Sequence, residues 1–283
     1  MMTINKKDKI IYPEAGLANR LQCLYSALYW KKVLGLNFTI LWEIDYACCI
    51  KYEKLFMPIP DVHIKTVYTL SLKNDKSLKS CLGKLYIQRL KKKVFCDYTE
   101  KLPIIYYNAG EEAVTDILSK EDMYCIKANS PFADWNHISE VLNEIKPTEE
   151  IEMRVRTILD SYQGKHIIGV HIRRTDNKDS IQHSPIRLFA EKMRECLDNN
   201  PDVVFYLATD DKEVEKEMSA EFPTVTHICF SDEKSRRTEA GMKDAYVDML
   251  CLSRCEKIYG SYGSTFSKMA AVIGGIECEV VYQ

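Results

Sequence analysis

The stretch IIGVHIRRTD, residues 167–176, runs from an apolar core segment into two arginines and a carboxylate. Residues 167–172 have the length and β-branched content of a strand buried on both faces, as strands of parallel sheets are. Arg173, Arg174 and Asp176 then fall just beyond its carboxyl end. A surface ion pair after an ordinary strand accounts for them equally well, so the flanking segments decide. Working outward, strand and helix alternate. A strand over His166–Ile172 precedes a helix over 184–199, with Pro185 in its first turn. Strands over 203–208, 225–229, 257–260 and 278–282 follow, separated by helices over 212–222, 239–254 and 264–274. Such alternation builds βαβ units and a Rossmann-like half, whose ligands gather at the carboxyl ends of the strands.

The first half begins the same way. Lys9–Pro13 reads as a strand, EAGLANR (residues 14–20) as a turn, and the next segment as a helix ended by Gly35. Leu21, Leu24, Tyr25, Leu28 and Val33 mark that helix's apolar face, and NFTILWEI (37–44) is a second strand. Residues 45–60 read as a loop with a short helix, 104–107 and 123–126 as strands, and NSPFADWNHI (129–138) as a loop. Residues 143–150 have linker composition and 150–162 helical periodicity. Domains over 1–150 and 151–283 follow from this.

Composition excludes several classes. The 283 residues carry 39 basic against 41 acidic side chains, a net charge of -2, so attraction to nucleic acid or an anionic membrane is not built into the total. The basic cluster Arg89, Lys91, Lys92 and Lys93, with Tyr86 as its one aromatic, reads as a solvated helix face. Eleven cysteines, an odd number with no CxxC spacing, indicate neither a disulfide framework nor a zinc cluster. No apolar run suits a signal peptide or a membrane span. The expectation is therefore a cytoplasmic protein, with peripheral membrane contact left open.

Three post-strand loops carry chemistry. The first supplies His171 and the arginines, whose guanidinium forks match two phosphate oxygens at once. The second holds Asp210 and Asp211, which serve equally as helix caps. The third, GSYGSTFSK (260–268), leads Ser264 and Thr265 into a helix N-terminus, where free backbone N–H groups favour an anion. Together with Arg173, that start suits a diphosphate. Asp248 lies in DAYVDMLCLSRC, in a setting where either a purine edge or another side chain can satisfy its carboxylate. PEAGLANR, with Gly16, lacks the Walker A and GxGxxG patterns, which removes the main support for a kinase or a nicotinamide enzyme.

Taken in chain order, GLANRLQCLYSALYWKKVLG (16–35), GVHIRRTD (169–176), FYLATDD (205–211) and DMLCLSRCEKIYGSYGSTFS (248–267) resemble the GDP-fucose-dependent fucosyltransferase superfamily. Its members include α1,6 (NodZ-like), α1,2 and protein O-fucosyltransferases. The resemblance implies an α/β, GT-B-type fold of two Rossmann-like domains facing across a cleft: 1–150 on the acceptor side, 151–283 binding the GDP-sugar. It assigns guanine to His171 and Asp248, the β-phosphate to Arg173, and the loop or the same anion to Arg174. It gives a phosphate contact to Ser264 and closure over the diphosphate to Gly16 and Ala18; Thr265, Asn19 and Asp210 are counted with them as candidate substrate-binding residues. Ala18 stands where many relatives have a second glycine, and Ile181 where some α1,6 enzymes have an acid.

The implied reaction is an inverting transfer of fucose from GDP-fucose to a glycan or glycolipid hydroxyl, with no cofactor and no metal. Arg173 would stabilise the departing phosphate, and Glu14, Asp176 and Asp179 are candidates for the general base. Asp176 can instead orient an arginine. Two alternatives keep the fold: a transferase of another GDP-sugar, or a non-catalytic nucleotide-sugar-binding protein. An oligosaccharide or glycolipid acceptor would meet residues 1–150, where Trp42, Glu43, Trp135 and His137 are either contacts or ordinary core and loop residues.

Overall fold

The computed structural model describes residues 9–68, 104–105, 111–119, 125–222, 226–228 and 235–283. The chain divides into two compact units, Met1–Thr148 with Arg236–Glu239, and Glu149–Ser235 with Ala240–Gln283. The basic cluster at Arg89, Lys91, Lys92 and Lys93, and parts of the expected strands at 106–107, 123–124, 225 and 229, lie outside the described residues.

The first unit holds β1 (Lys9–Pro13), α1 (Leu17–Leu34), β2 (Phe38–Ile44), β3 (His63–Tyr68), β4 (Ile104–Ile105), α2 (Glu111–Ser119), β5 (Cys125–Ala128) and α3 (Trp135–Ser139). Its sheet runs β3-β2-β1-β5-β4 with every pair parallel. β1 and β2 are buried along their whole length, as strands of a parallel sheet are, with Lys9, Thr39 and Glu43 among the buried residues. α1 is buried on nearly every side from Leu17 to Trp30, as a core helix is. Val33 was expected on that apolar face but is 53% exposed. It follows Lys31 and Lys32 in the last turn, where the helix runs out into solvent.

The second unit holds α4 (Glu149–Asp160), β6 (His166–Ile172), α5 (Lys178–His183), α6 (Ile186–Asn199), β7 (Val203–Thr209), α7 (Lys212–Glu221), β8 (Thr226–Ile228), α8 (Glu239–Ser253), β9 (Lys257–Ser261), α9 (Thr265–Gly274) and β10 (Glu277–Val281). Its sheet runs β10-β9-β6-β7-β8, again all parallel. Val170, Ile172, Phe189, Met193 and Phe205 are wholly buried and form the core on one of its faces. Strand order reverses between β6 and β9, and in a doubly wound sheet the crevice at such a reversal is where ligands bind.

Four helical features depart from the sequence expectation. α5 occupies what read as a loop, because Asn177 Oδ1 accepts from Ser180 N (3.1 Å) and nucleates it. Pro185 is the N-cap of α6 rather than a residue of its first turn. Within NSPFADWNHI, Asp134 caps α3 by accepting from Asn136 N (2.8 Å). α2 was not anticipated at all. Among the described residues no helix is long and apolar enough to cross a membrane.

Candidate functional site

At the strand reversal of the second unit, two loops are laced together. Arg173 N donates to Ser261 Oγ (2.9 Å), which donates in turn to His171 O (3.1 Å), so the ends of β6 and β9 share one hydroxyl. Farther out, Ser180 Oγ donates to Tyr262 O (2.6 Å), and Tyr262 N donates to Ser184 Oγ (2.8 Å). Two glycines let the third loop sit this close. A Cβ on Gly260 would lie 2.7 Å from Ser267 Oγ, so α9 packs directly onto the strand. Gly263 takes φ 63° to turn into Ser264, the N-cap of α9. The Ser264 side chain makes no capping bond, and first-turn amides of a helix have no intrahelical acceptor.

Charge concentrates at the end of β6. The Arg173 guanidinium is 22% exposed; it pairs with Asp176 and, at 3.1 Å, with Asp210. Asp210 also accepts from Arg174 N (2.8 Å), Thr175 N (3.3 Å) and Thr175 Oγ1 (2.6 Å). Burial alone would raise the Asp210 pKa. The Arg173 charge and these donors overcome it, and the net direction is down. Asp210 thus braces the arginine loop, while its neighbour Asp211 is the cap of α7, accepting from Glu213 N (2.9 Å). The Arg174 guanidinium turns the other way and donates to Ile181 O (3.2 Å) and Ser184 O (2.6 Å), tying down the end of α5.

His171 is buried, with its ring stacked on Phe266 at 4.8 Å. Burial, then the Arg173 charge, holds its pKa near 3 against the opposing pull of Asp210, so the imidazole is neutral. Its buried Nδ1 has no hydrogen-bond partner. A buried polar atom without a partner is costly and is a natural point for a ligand's polar edge. Asp248, half-buried on α8, accepts from the Tyr206 hydroxyl (2.7 Å). Asp179 is exposed on α5.

The expected N-terminal turn lies in the first unit. Gly16 is the N-cap of α1, Ala18 is buried, and Asn19 Nδ2 donates to Asn129 O (2.6 Å). Glu14 pairs with Lys127 (2.7 Å). Sequence reasoning passed over Arg20, which is wholly buried: Nε donates to Ala15 O (2.9 Å), one terminal nitrogen donates to Glu43 O, and the other pairs with Asp45 at 3.0 Å. Ala15 there takes φ 66°, a costly conformation for a residue with a side chain, and the Arg20 contact helps hold it. The signal was an arginine inside an apolar helical run. Ser261, Thr175 and Ser184 were also passed over, since their roles appear only once the loops meet. Trp42 is a core side chain donating to Ile50 O (2.7 Å), and Glu43 is buried and accepts from the Tyr12 hydroxyl. His137 stacks on Tyr29 at 4.5 Å, and Trp135 is half-buried at the start of α3.

No family model and no curated protein matches the sequence. Solved structures match the fold. NodZ α-1,6-fucosyltransferase soaked with GDP-fucose matches with a TM-score of 0.61 at 18% identity, over 94% of this chain and 93% of that one. A structure of this enzyme from Bradyrhizobium gives 0.58 at 18% identity, over 93% and 92%. POFUT1 in complex with GDP gives 0.55 at 11% identity, over 97% and 99%. The R284K mutant of Arabidopsis thaliana FUT1 in complex with GDP gives 0.58 at 13% identity, over 96% and 70%.

Proposed function

We propose that the chain is a GT-B-type inverting fucosyltransferase, with residues 151–283 taking GDP-fucose and residues 1–150 serving the acceptor. One observation carries the reading. A strand-end guanidinium, a neutral buried imidazole with an unpartnered nitrogen and the start of α9 meet at the reversal point of a parallel sheet. Three of the neighbours with this fold were solved with GDP-fucose or GDP.

In this reading the diphosphate displaces exposed Asp176 from Arg173, while Asp210 keeps the guanidinium aimed. His171 Nδ1 and Asp248 meet the guanine, and Ser264, Thr265 and the first amides of α9 meet the phosphates. As fucose C1 gains oxocarbenium character, charge grows on the leaving oxygen. A preorganised guanidinium stabilises it without a divalent ion. Glu14 and Asp179 remain the carboxylates available to take the acceptor proton.

Calorimetry with GDP tests donor binding, and GDP release from GDP-fucose with and without galactose- or N-acetylglucosamine-terminated acceptors tests transfer. Binding of GDP with no turnover of GDP-fucose on any acceptor would refute the enzymatic reading. Turnover of another GDP-sugar in its place would change the donor. Single Glu14→Gln and Asp179→Asn variants then show which carboxylate is the base.

A further inference from the structure

Beside the arginine loop, the second unit carries an exposed aromatic strip that the donor chemistry does not use. Tyr262 immediately follows Ser261 and is 41% exposed, and Tyr282 is 63% exposed. Their ring centres are 5.8 Å apart, with planes 44° from parallel, and the half-buried His183 ring lies 4.9 Å from Tyr262 at 50°. Large apolar rings left grouped in water forgo the free energy that burial would give, so such a group marks a contact surface.

The strip is rigidly mounted. Tyr262 is fixed through both its N–H and its carbonyl, by Ser184 and Ser180. Gln283 N donates to His183 O (2.9 Å), which seats Tyr282 beside it. Ser184 is also the residue whose carbonyl receives the Arg174 guanidinium (2.6 Å). Strip and arginine loop are therefore parts of one hydrogen-bonded assembly, and a ligand on the rings is held next to the strand-end crevice.

We infer that this strip is a carbohydrate subsite that seats a pyranose of the acceptor; this rests on the transferase reading above and adds a part of the second unit to the acceptor surface assigned there to residues 1–150. The C–H face of a pyranose is apolar and faintly positive, and it complements the negative face of an aromatic ring. Its hydroxyls need polar neighbours, and α5 exposes Asp179 and Gln182 alongside His183. Ring centres spaced 4.9 Å and 5.8 Å apart suit a ligand on the scale of one pyranose.

The test is saturation-transfer NMR on the intact protein, without GDP, using lactose and N,N′-diacetylchitobiose as probes. GDP calorimetry and sedimentation velocity run in parallel. At least one probe should receive saturation from wild type and from Tyr262→Phe and Tyr282→Phe, which keep the rings. Tyr262→Ala and Tyr282→Ala should each weaken it about tenfold, with GDP affinity unchanged. Tyr282 is so exposed that its variant probes the surface even if Tyr262→Ala fails to fold. GDP binding with no saturation of either probe, unaltered sugar binding in both alanine variants, or a dimer that the Tyr282 variant dissociates would each overturn the inference. Sugar binding without GDP binding would leave the subsite standing and remove the donor assignment instead.

Discussion

Each unit places an arginine beside the strand ends of a parallel sheet, and the two are used in opposite ways. Arg20 in the first unit is wholly buried, with Nε and one terminal nitrogen donating to the Ala15 and Glu43 carbonyls, Asp45 paired to it, and its guanidinium 5.1 Å from the centre of the Trp42 ring. Arg173 in the second unit keeps 22% of its side chain in solvent, and one of its two partners, Asp176, is 47% exposed. A cation sealed inside its own fold shapes the backbone and nothing else. A cation whose partner can leave is poised to exchange that partner for a ligand's anion.

The strongest way to break this contrast is to remove each arginine in turn. Arg20→Ala takes the guanidinium from part-buried Asp45, which keeps the Ala47 and Cys48 amides, and from two carbonyls, and urea unfolding should show a loss of about 3 kcal/mol. A loss under about 1 kcal/mol would mean that the Arg20 cluster is not structural. Arg173→Ala should lower turnover of GDP-fucose about 100- to 1,000-fold at saturating donor, with a smaller loss of stability than Arg20→Ala because Asp210 keeps three other donors. Retained turnover would end its leaving-group role.

The two carboxylates on Arg173 sharpen the comparison. Asp210→Asn should cost about 1.5–3 kcal/mol in urea unfolding, because a braced carboxylate with four donors is lost. Asp176→Asn removes only an exposed competitor, so stability should hold and calorimetry should find GDP binding equal or tighter. Weaker GDP binding there would place Asp176 in the ligand site itself.

The smallest effect is in pH. The His171 pKa is pushed down from its ordinary 6.5 to about 3, so below pH 6.5 the unfolded chain binds a proton that the folded chain refuses. Its contribution is full above that value and fades as pH falls, by at most about 1.4 kcal/mol per unit. Unfolding of wild type and His171→Gln at pH 7.5 and 5.5 should show that only wild type carries this slope.

Much of the second unit was legible because strand, loop and helix repeat cleanly. The apolar run ending at Ile172 and the glycines at 260 and 263 announce a strand end and a turn by composition alone. α3 and α5 were missed because five and six residues are too few to show a period. Asp134 and Asn177, their caps, were the available signal. Arg20 misled through its neighbours: an apolar helix reads the same whether the charge within it is sealed or exposed.

Local pattern determined where strands end and which groups stand there, because periodicity and turn chemistry act over a few residues. Tertiary structure alone decided which partner each charge takes. Asp210 rather than Asp211 braces Arg173, Ser261 joins two loops 88 residues apart, and Tyr262 meets Tyr282 at a solvent-facing strip. Those choices depend on strand order, and strand order is set by how the whole sheet buries its apolar faces.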